Sequence, residues 1–254
     1  MPASEVGQAR QVFFNQTFTG DTMNRRTALW TIPTFATGLF SDVANAKGFR
    51  RFRGNDRDPQ TNVDDLKLNP KTTAVLPLDC QVGVLEFVPG SEQIFARAAR
   101  VVAAARDRKI PVIHVGIGFR PGYPEVPVDH PTFGMVRQSG KFVIGTKSAA
   151  FHPSIAPTAD EIVIHKHRVS AFSGNDLEMI LRAKGITHLV LFGIATNGIV
   201  LSTLRQAADL DFHCVVIADC CHDGDEEVHR VLTTKVFSRQ ATVVTAEKFI
   251  REMC

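Results

Sequence analysis

From Thr72 onward, short and almost wholly apolar runs alternate with stretches in which apolar residues recur every three or four positions. The runs read as strands buried on both faces and the stretches as amphipathic helices. Their alternation is the pattern of βαβ units around a parallel sheet. It predicts strands near 73–79, 111–116, 160–166, 187–193, 213–219 and 240–244, and helices near 91–108, 175–184, 198–209, 225–237 and 246–252. The expected fold is therefore α/β with a mostly parallel, six-stranded, Rossmann-like sheet.

Local signals sharpen some boundaries. Ser173-Gly174-Asn175-Asp176 has capping-box spacing ahead of LEMILRAK, and Gly185 closes that helix as its C′ residue. Pro111 is acceptable at a strand start. Residues 117–159 break the rhythm and carry prolines at 121, 124, 127, 131, 153 and 157, so they are expected to cover one end of the sheet.

Residues 1–70 follow no such rhythm and are expected to form a leader or arm plus a linker, with the globular domain over 71–254. Residues 23–46 run from Arg25-Arg26 through a mildly apolar stretch to Ala44-Asn45-Ala46, the order of a twin-arginine export signal. Two readings stand: an export signal starting at Met23, giving a periplasmic protein, or a cytoplasmic chain whose arm lies across the domain or a neighbouring subunit. Lys47 to Pro70 is polar, rich in turn residues and aperiodic, as a linker or surface wrap would be.

Composition narrows the function. With 44% hydrophobic and 22% charged residues and a mean hydropathy near zero, the chain falls among ordinary globular proteins. No run of 18 apolar residues occurs, so no stable membrane insertion is expected. Residues 1–70 hold nine basic and seven acidic side chains, and the rest 20 against 19. A near-neutral body lacks the dense basic surface that nucleic acid requires, and a small-molecule substrate fits better. The cysteines, at 80, 214, 220, 221 and 254, are odd in number and show no paired spacing, so they read as free thiols.

Ligands of an open parallel sheet bind beyond the carboxyl ends of its strands. Asp79 closes the first strand in TTAVLPLDCQ, Lys166 closes the third in EIVIHKHR, and the fourth turns into a helix through Gly193-Ile-Ala-Thr-Asn-Gly198. Cys80, on the face opposite Asp79, is expected to be a buried thiol. His114 reads as a strand-end polar residue near the pocket. Cys220 to Asp225 reads as a turn and N-cap before EEVHRVL, in preference to a metal site.

The stretches AVLPLDCQVGVL and EIVIHKHRVSAFSGNDLEMILRAKGITHLVLFGIATNGIVLSTLRQAADLDFHCVVIADCC resemble the isochorismatase-like hydrolase superfamily over about residues 70–250. The resemblance implies a three-layer α/β/α sandwich, a homodimer or homotetramer, no cofactor, and a cis peptide before Ala195 that aims the Ala195 amide into the pocket. Cysteine hydrolases of that superfamily, such as nicotinamidases and carbamoylsarcosine amidases, use an Asp, a Lys and a Cys. Asp79 and Lys166 match the first two, but the place of the nucleophile is Gly198. Glycine cannot form a thioester. The Asp-Lys-Gly set is similar instead to members that act as true isochorismatases, which carry Asp and Lys without the Cys.

That resemblance implies hydrolysis of a vinyl ether, with Asp79 as the acid, Lys166 beside it, and the Ala195 and Gly198 amides as an oxyanion-type site. Gly198 is expected at the first turn of a helix with its N–H unpaired. The Asp-x-His metal set of nicotinamidases has no counterpart in HVGIGFRPGYPEV, so no metal is expected. Phe119, Arg120, Tyr123 and Phe133 in the covering region are candidate substrate contacts. The alternative is a small-molecule-binding or scaffold protein on the same fold that lost its chemistry with the cysteine.

Overall fold

The computed structural model describes Leu66 and residues 68–252. The segment expected to be an export signal or an arm, most of the expected linker, and Cys254 lie outside the described residues. Six strands form one parallel sheet in the order β3-β2-β1-β4-β5-β6. They are β1 (Thr73–Leu78), β2 (Ile113–Ile117), β3 (Ile162–Lys166), β4 (His188–Gly193), β5 (His213–Ile217) and β6 (Ala241–Val244). Every expected strand is present, displaced by a residue or two at its ends. The central β1 and β4 are buried along almost their whole length, which is why they read as unbroken apolar runs.

The helices are α1 (Val82–Leu85), α2 (Phe95–Asp107), α3 (Phe133–Ser139), α4 (Leu177–Ala183), α5 (Leu201–Asp209), α6 (Glu226–Val231) and α7 (Ala246–Glu252). α2 packs beside α7, and α4 is tied to the end of α5 by Arg182, whose Nη2 donates to the Leu210 carbonyl at 2.5 Å. The strand order reverses direction between β3 and β4, and right-handed crossovers then place the two helix pairs on opposite faces of the sheet. α4 ends in a Schellman turn: Gly185 lies at φ 67°, its N–H bonds to Arg182 and that of Ile186 to Leu181. At the other end the Asn175 side chain takes the Leu177 N–H, so the capping box expected from Ser173 is replaced by an Asn turn.

Two features fix how the strand ends meet. Val75 N–H bonds to the Pro111 carbonyl and Asp79 N–H to that of Val115. The rung between them has no donor because position 77 is proline, leaving a gap in the β1–β2 ladder just below Asp79. On the other side of β1, Gly193 adopts φ 149°, and a Cβ there would lie 2.0 Å from the Leu78 carbonyl oxygen. That approach lets Ile194 donate to the same oxygen at 3.1 Å.

The proline-rich segment folds as a cover with a core of its own. Ile117, Phe119, Tyr123, Val126, Phe133, Val136 and Phe142 pack together, apart from the main core of the sheet. It contains α3, a helix the prolines hid from periodicity.

Candidate active site

Asp79 follows β1 in a left-handed conformation, φ 50°. This turns its carboxylate across the end of β2 toward Lys166, the last residue of β3. Strands two apart lie roughly 10 Å from one another, a distance a lysine and an aspartate together can span. Lys166 Nζ lies 2.8 Å from Asp79 Oδ2 and also donates to the Arg168 carbonyl at 3.0 Å. Both residues are buried, Lys166 at 2% exposure and Asp79 at 8%. Asp79 Oδ1 has no hydrogen-bond partner. Burial raises the Asp79 carboxyl above its ordinary value, and the attraction of Lys166 only partly offsets this. One carboxylate oxygen is thus held by Lys166 while the other is buried without a partner.

Register brings the turn after β4 to the same place. Leu78 pairs with Gly193 and its carbonyl accepts from Ile194 N–H, so the turn after β4 starts beside the end of β1 that leads into Asp79. The Ile194–Ala195 peptide is cis, as the resemblance implied. Position 198 lies in a π-helical turn, Thr196–Val200, that runs into α5. A Cβ at Gly198 would meet nothing within 4 Å. One expectation changes: the Gly198 N–H is not unpaired but bonds to the Ala195 carbonyl at 3.2 Å, because the chain tightens by an i−3 bond before the regular helix begins. Thr196 N–H bonds to the His222 carbonyl and Asn197 N–H to Asp223 Oδ2 at 2.7 Å. Ile194 forms an isolated parallel bridge with His222, whose N–H bonds to the Gly193 carbonyl at 3.3 Å, so the amide of Ala195 lies beside the His222 carbonyl.

Phe119, Tyr123 and Phe133 lie in the core of the cover, at 0%, 7% and 5% exposure. Phe119 packs against Tyr123 and Phe133 and faces the His167 ring at 5.8 Å, and the Tyr123 hydroxyl donates to the Lys141 carbonyl. Arg120 is ion-paired with Glu125. Arg168 joins the lysine loop to the cover, with Nη2 on the Glu125 carbonyl at 3.2 Å and its guanidinium 5.6 Å from the Phe133 ring.

His114 does not reach the site. It is the second residue of β2, near the amino end, where its Nε2 lies 2.9 Å from Glu161. Strand direction decides this, since Asp79, Lys166 and the turn after β4 all lie at the carboxyl ends. Cys80 is fully buried, and burial together with the Asp79 charge pushes its thiol well above the ordinary range. Cys214, Cys220 and Cys221 are likewise free and buried. Asp225 caps α6, accepting from Glu227 and Val228 N–H. Among the described residues no group of three His, Cys, Asp or Glu side chains converges to hold a metal ion.

Sequence reasoning missed Gln81. Fully buried, its Nε2 donates to the Ile117 and Ala149 carbonyls at 2.9 and 2.7 Å, and its Oε1 accepts from Ile117 N–H at 2.8 Å. It staples β2 and the end of the cover to the loop that carries Asp79. Gly116 makes the room, since a Cβ there would lie 2.7 Å from the Gln81 amide carbon.

The parallel sheet thus carries an Asp–Lys pair and a cis-peptide turn at its carboxyl end, and the comparisons with known proteins place the chain in a family. Residues 73–248 match the isochorismatase domain, and the chain belongs to the isochorismatase family of hydrolases. It is 34% identical over 195 residues to the family member YecD of Escherichia coli O157:H7, covering 74% of this chain and 100% of that protein. The ureidoacrylate amidohydrolase RutB of Methylobacterium radiotolerans is 33% identical over 196 residues, covering 68% of this chain and 76% of that one. Among solved structures, an isochorismatase family protein from Burkholderia thailandensis superposes with a TM-score of 0.64 at 31% identity, over 73% of this chain and 97% of that chain. A cysteine hydrolase from Pseudomonas syringae pv. phaseolicola shares the fold at a TM-score of 0.68 and 21% identity, over 73% of this chain and 94% of that chain.

Proposed function

We propose that this chain hydrolyses a small organic molecule by acid chemistry at Asp79, without a covalent enzyme intermediate, in the manner of vinyl ether hydrolysis. The observation that carries the reading is a buried carboxyl, raised by burial and paired with Lys166, beside a turn whose position 198 offers open space and no nucleophile. Asp79 gives its proton to the terminal vinyl carbon, and the electron pair of the double bond forms the new C–H bond. Water adds to the resulting oxocarbenium carbon and returns a proton to Asp79. The hemiketal then collapses to a carbonyl compound and an alcohol. A carboxylate on the substrate would draw the charge of Lys166 to itself and leave the proton on Asp79. The Ala195 N–H polarises the oxygen at the reacting centre, Gly198 leaves room for it, and Phe119, Tyr123 and Phe133 shape the cover above it.

A second reading, amide hydrolysis, draws on relatives. RutB is a ureidoacrylate amidohydrolase, and a maleamate amidohydrolase of Pseudomonas putida is 28% identical over 167 residues. Mass-spectrometric screening of metabolites consumed by the wild type beside Asp79→Asn separates the readings. The acid mechanism expects a vinyl ether consumed by the wild type alone, with Asp79→Asn retaining affinity and wild-type turnover falling as pH rises through the Asp79 value. Consumption of amides only would replace it with amide hydrolysis. No consumption, with Asp79→Asn changing stability alone, would make the chain a binding protein. Amidase activity gained by Gly198→Cys would show that the nucleophile is all that amide chemistry lacks here.

A further inference from the structure

The turn that follows β4 is gripped from outside by one short segment, residues 222–229. The His222 carbonyl takes the Thr196 N–H at 2.9 Å, Asp223 Oδ2 takes the Asn197 N–H at 2.7 Å, and His229 Nδ1 lies 2.8 Å from Thr196 Oγ1. Thr196 and Asp223 are buried, at 0% and 2% exposure. The grip is anchored in turn. The His222 ring lies 3.0 Å from the Pro89 carbonyl through Nε2 and 3.1 Å from Gln93 Nε2 through Nδ1, which fits a proton on Nε2. Asp223 Oδ1 accepts from the N–H of Asp225, the residue that caps α6, and α6 carries His229.

We propose that Asp223 and His229 are positioning residues of the site, setting the Ala195 amide and position 198 against the Asp79–Lys166 pair. The inference rests on the reading that this turn faces the reacting group. The Asp223 carboxylate occupies an amide at the start of the helical turn, where an anionic substrate oxygen would otherwise bind, and directs that oxygen to the Ala195 N–H. His229 pins the neighbouring hydroxyl, so the turn cannot rotate to offer a different amide. Neither side chain touches the reacting atoms in this arrangement. Their effect is geometric, and displacements of about 1 Å in such a turn cost up to about a hundredfold in rate.

A cavity of about 630 Å³ opens on the outer side of the grip, lined by Gln93, Arg97, Asp223, Glu226 and His229 among others. It admits a small molecule to the place of the His229 ring, which makes the proposal testable without a known substrate. A thiol introduced by Gly198→Cys, in a Cys254→Ser background, serves as reporter. Its alkylation by iodoacetamide is followed by mass spectrometry, which separates it from the buried native thiols. The expected result is a change in alkylation rate of about tenfold or more on adding Asp223→Ala or His229→Gly. Asp223→Asn keeps an acceptor for Asn197 but turns its NH2 toward the Asp225 N–H, so its change should be smaller than that of Asp223→Ala, and free imidazole should restore the His229→Gly rate. Rates within about twofold for both disruptive variants, or a His229→Gly defect that imidazole does not mend, would overturn the proposal. If Asp223→Ala does not fold, the His229→Gly and imidazole pair decides alone. The readout is independent of turnover, so a wild type that consumes no metabolite refutes the proposed function while the thiol result still judges the positioning.

Discussion

Glu161, immediately before β3, is the strut that sets the edge strand carrying Lys166, and its removal has a calculable cost. Its carboxylate accepts from Arg106 Nε and Nη2, each at 2.8 Å, and from Thr158 N–H at 3.0 Å, and it pairs with His114 Nε2 at 2.9 Å. Burial alone would raise the carboxyl, but these partners outweigh it and hold it down from 4.5 to about 2. That depression carries roughly 3 kcal/mol of folding free energy at neutral pH, the side chain being only 11% exposed. The unfolded chain binds the proton more readily than the folded one. The stabilisation is therefore complete above about pH 5 and disappears as pH falls from 4.5 toward 2. Glu161→Gln should lose about 3 kcal/mol at pH 7 and roughly half of that at pH 3, read from urea unfolding at both values. An equal loss at the two pH values, or a loss under about 1 kcal/mol at pH 7, would refute the account of a charged strut.

Three further outcomes follow from the geometry. Lys166→Met removes the cation that partly offsets the burial of Asp79, so stability should fall as pH rises above about 4, more steeply than in the wild type, by a pH series of thermal melts. Gly116→Ala drives a methyl into Gln81 and breaks its hold on Ile117 and Ala149; about 1–3 kcal/mol should be lost, with amide exchange at Ile117 accelerated. Gly193→Ala places a Cβ on the Leu78 carbonyl at a strained φ and should cost more than about 4 kcal/mol or prevent folding, seen as loss of near-UV circular dichroism.

The sheet was legible because its strands are buried on both faces and so appear as apolar runs, and the end of α4 was legible because Gly185 has a local job. What depends on strand order was not legible from periodicity. Asp79 and Lys166 meet only because β1 and β3 flank β2; the family resemblance implied that the two residues act together, and the rhythm of the chain did not show the strand order that joins them. His114 shows the same limit from the other side. Its partner Glu161 is 47 residues away, and which end of β2 it occupies follows from strand direction and the true strand start. Gln81 looks in sequence like an ordinary loop glutamine. The signal that could have marked it is Gly116, whose missing side chain makes sense only when a buried amide lies against it. Gly198 lies in the turn after β4, as expected, but its amide is paired, because an i−3 bond that tightens the start of that turn leaves no trace in the hydrophobic pattern.

The cover's seven-residue core meets the core of the sheet at Val84, which packs against both, while Gln81 and Arg168 add hydrogen bonds across the seam. Stability divides along such seams, and a unit with its own apolar nucleus tolerates replacement without disturbing its neighbour. Substitutions at Phe119, Tyr123 or Phe133 would then reshape the wrapping around the Asp–Lys pair before they reached the sheet that holds it.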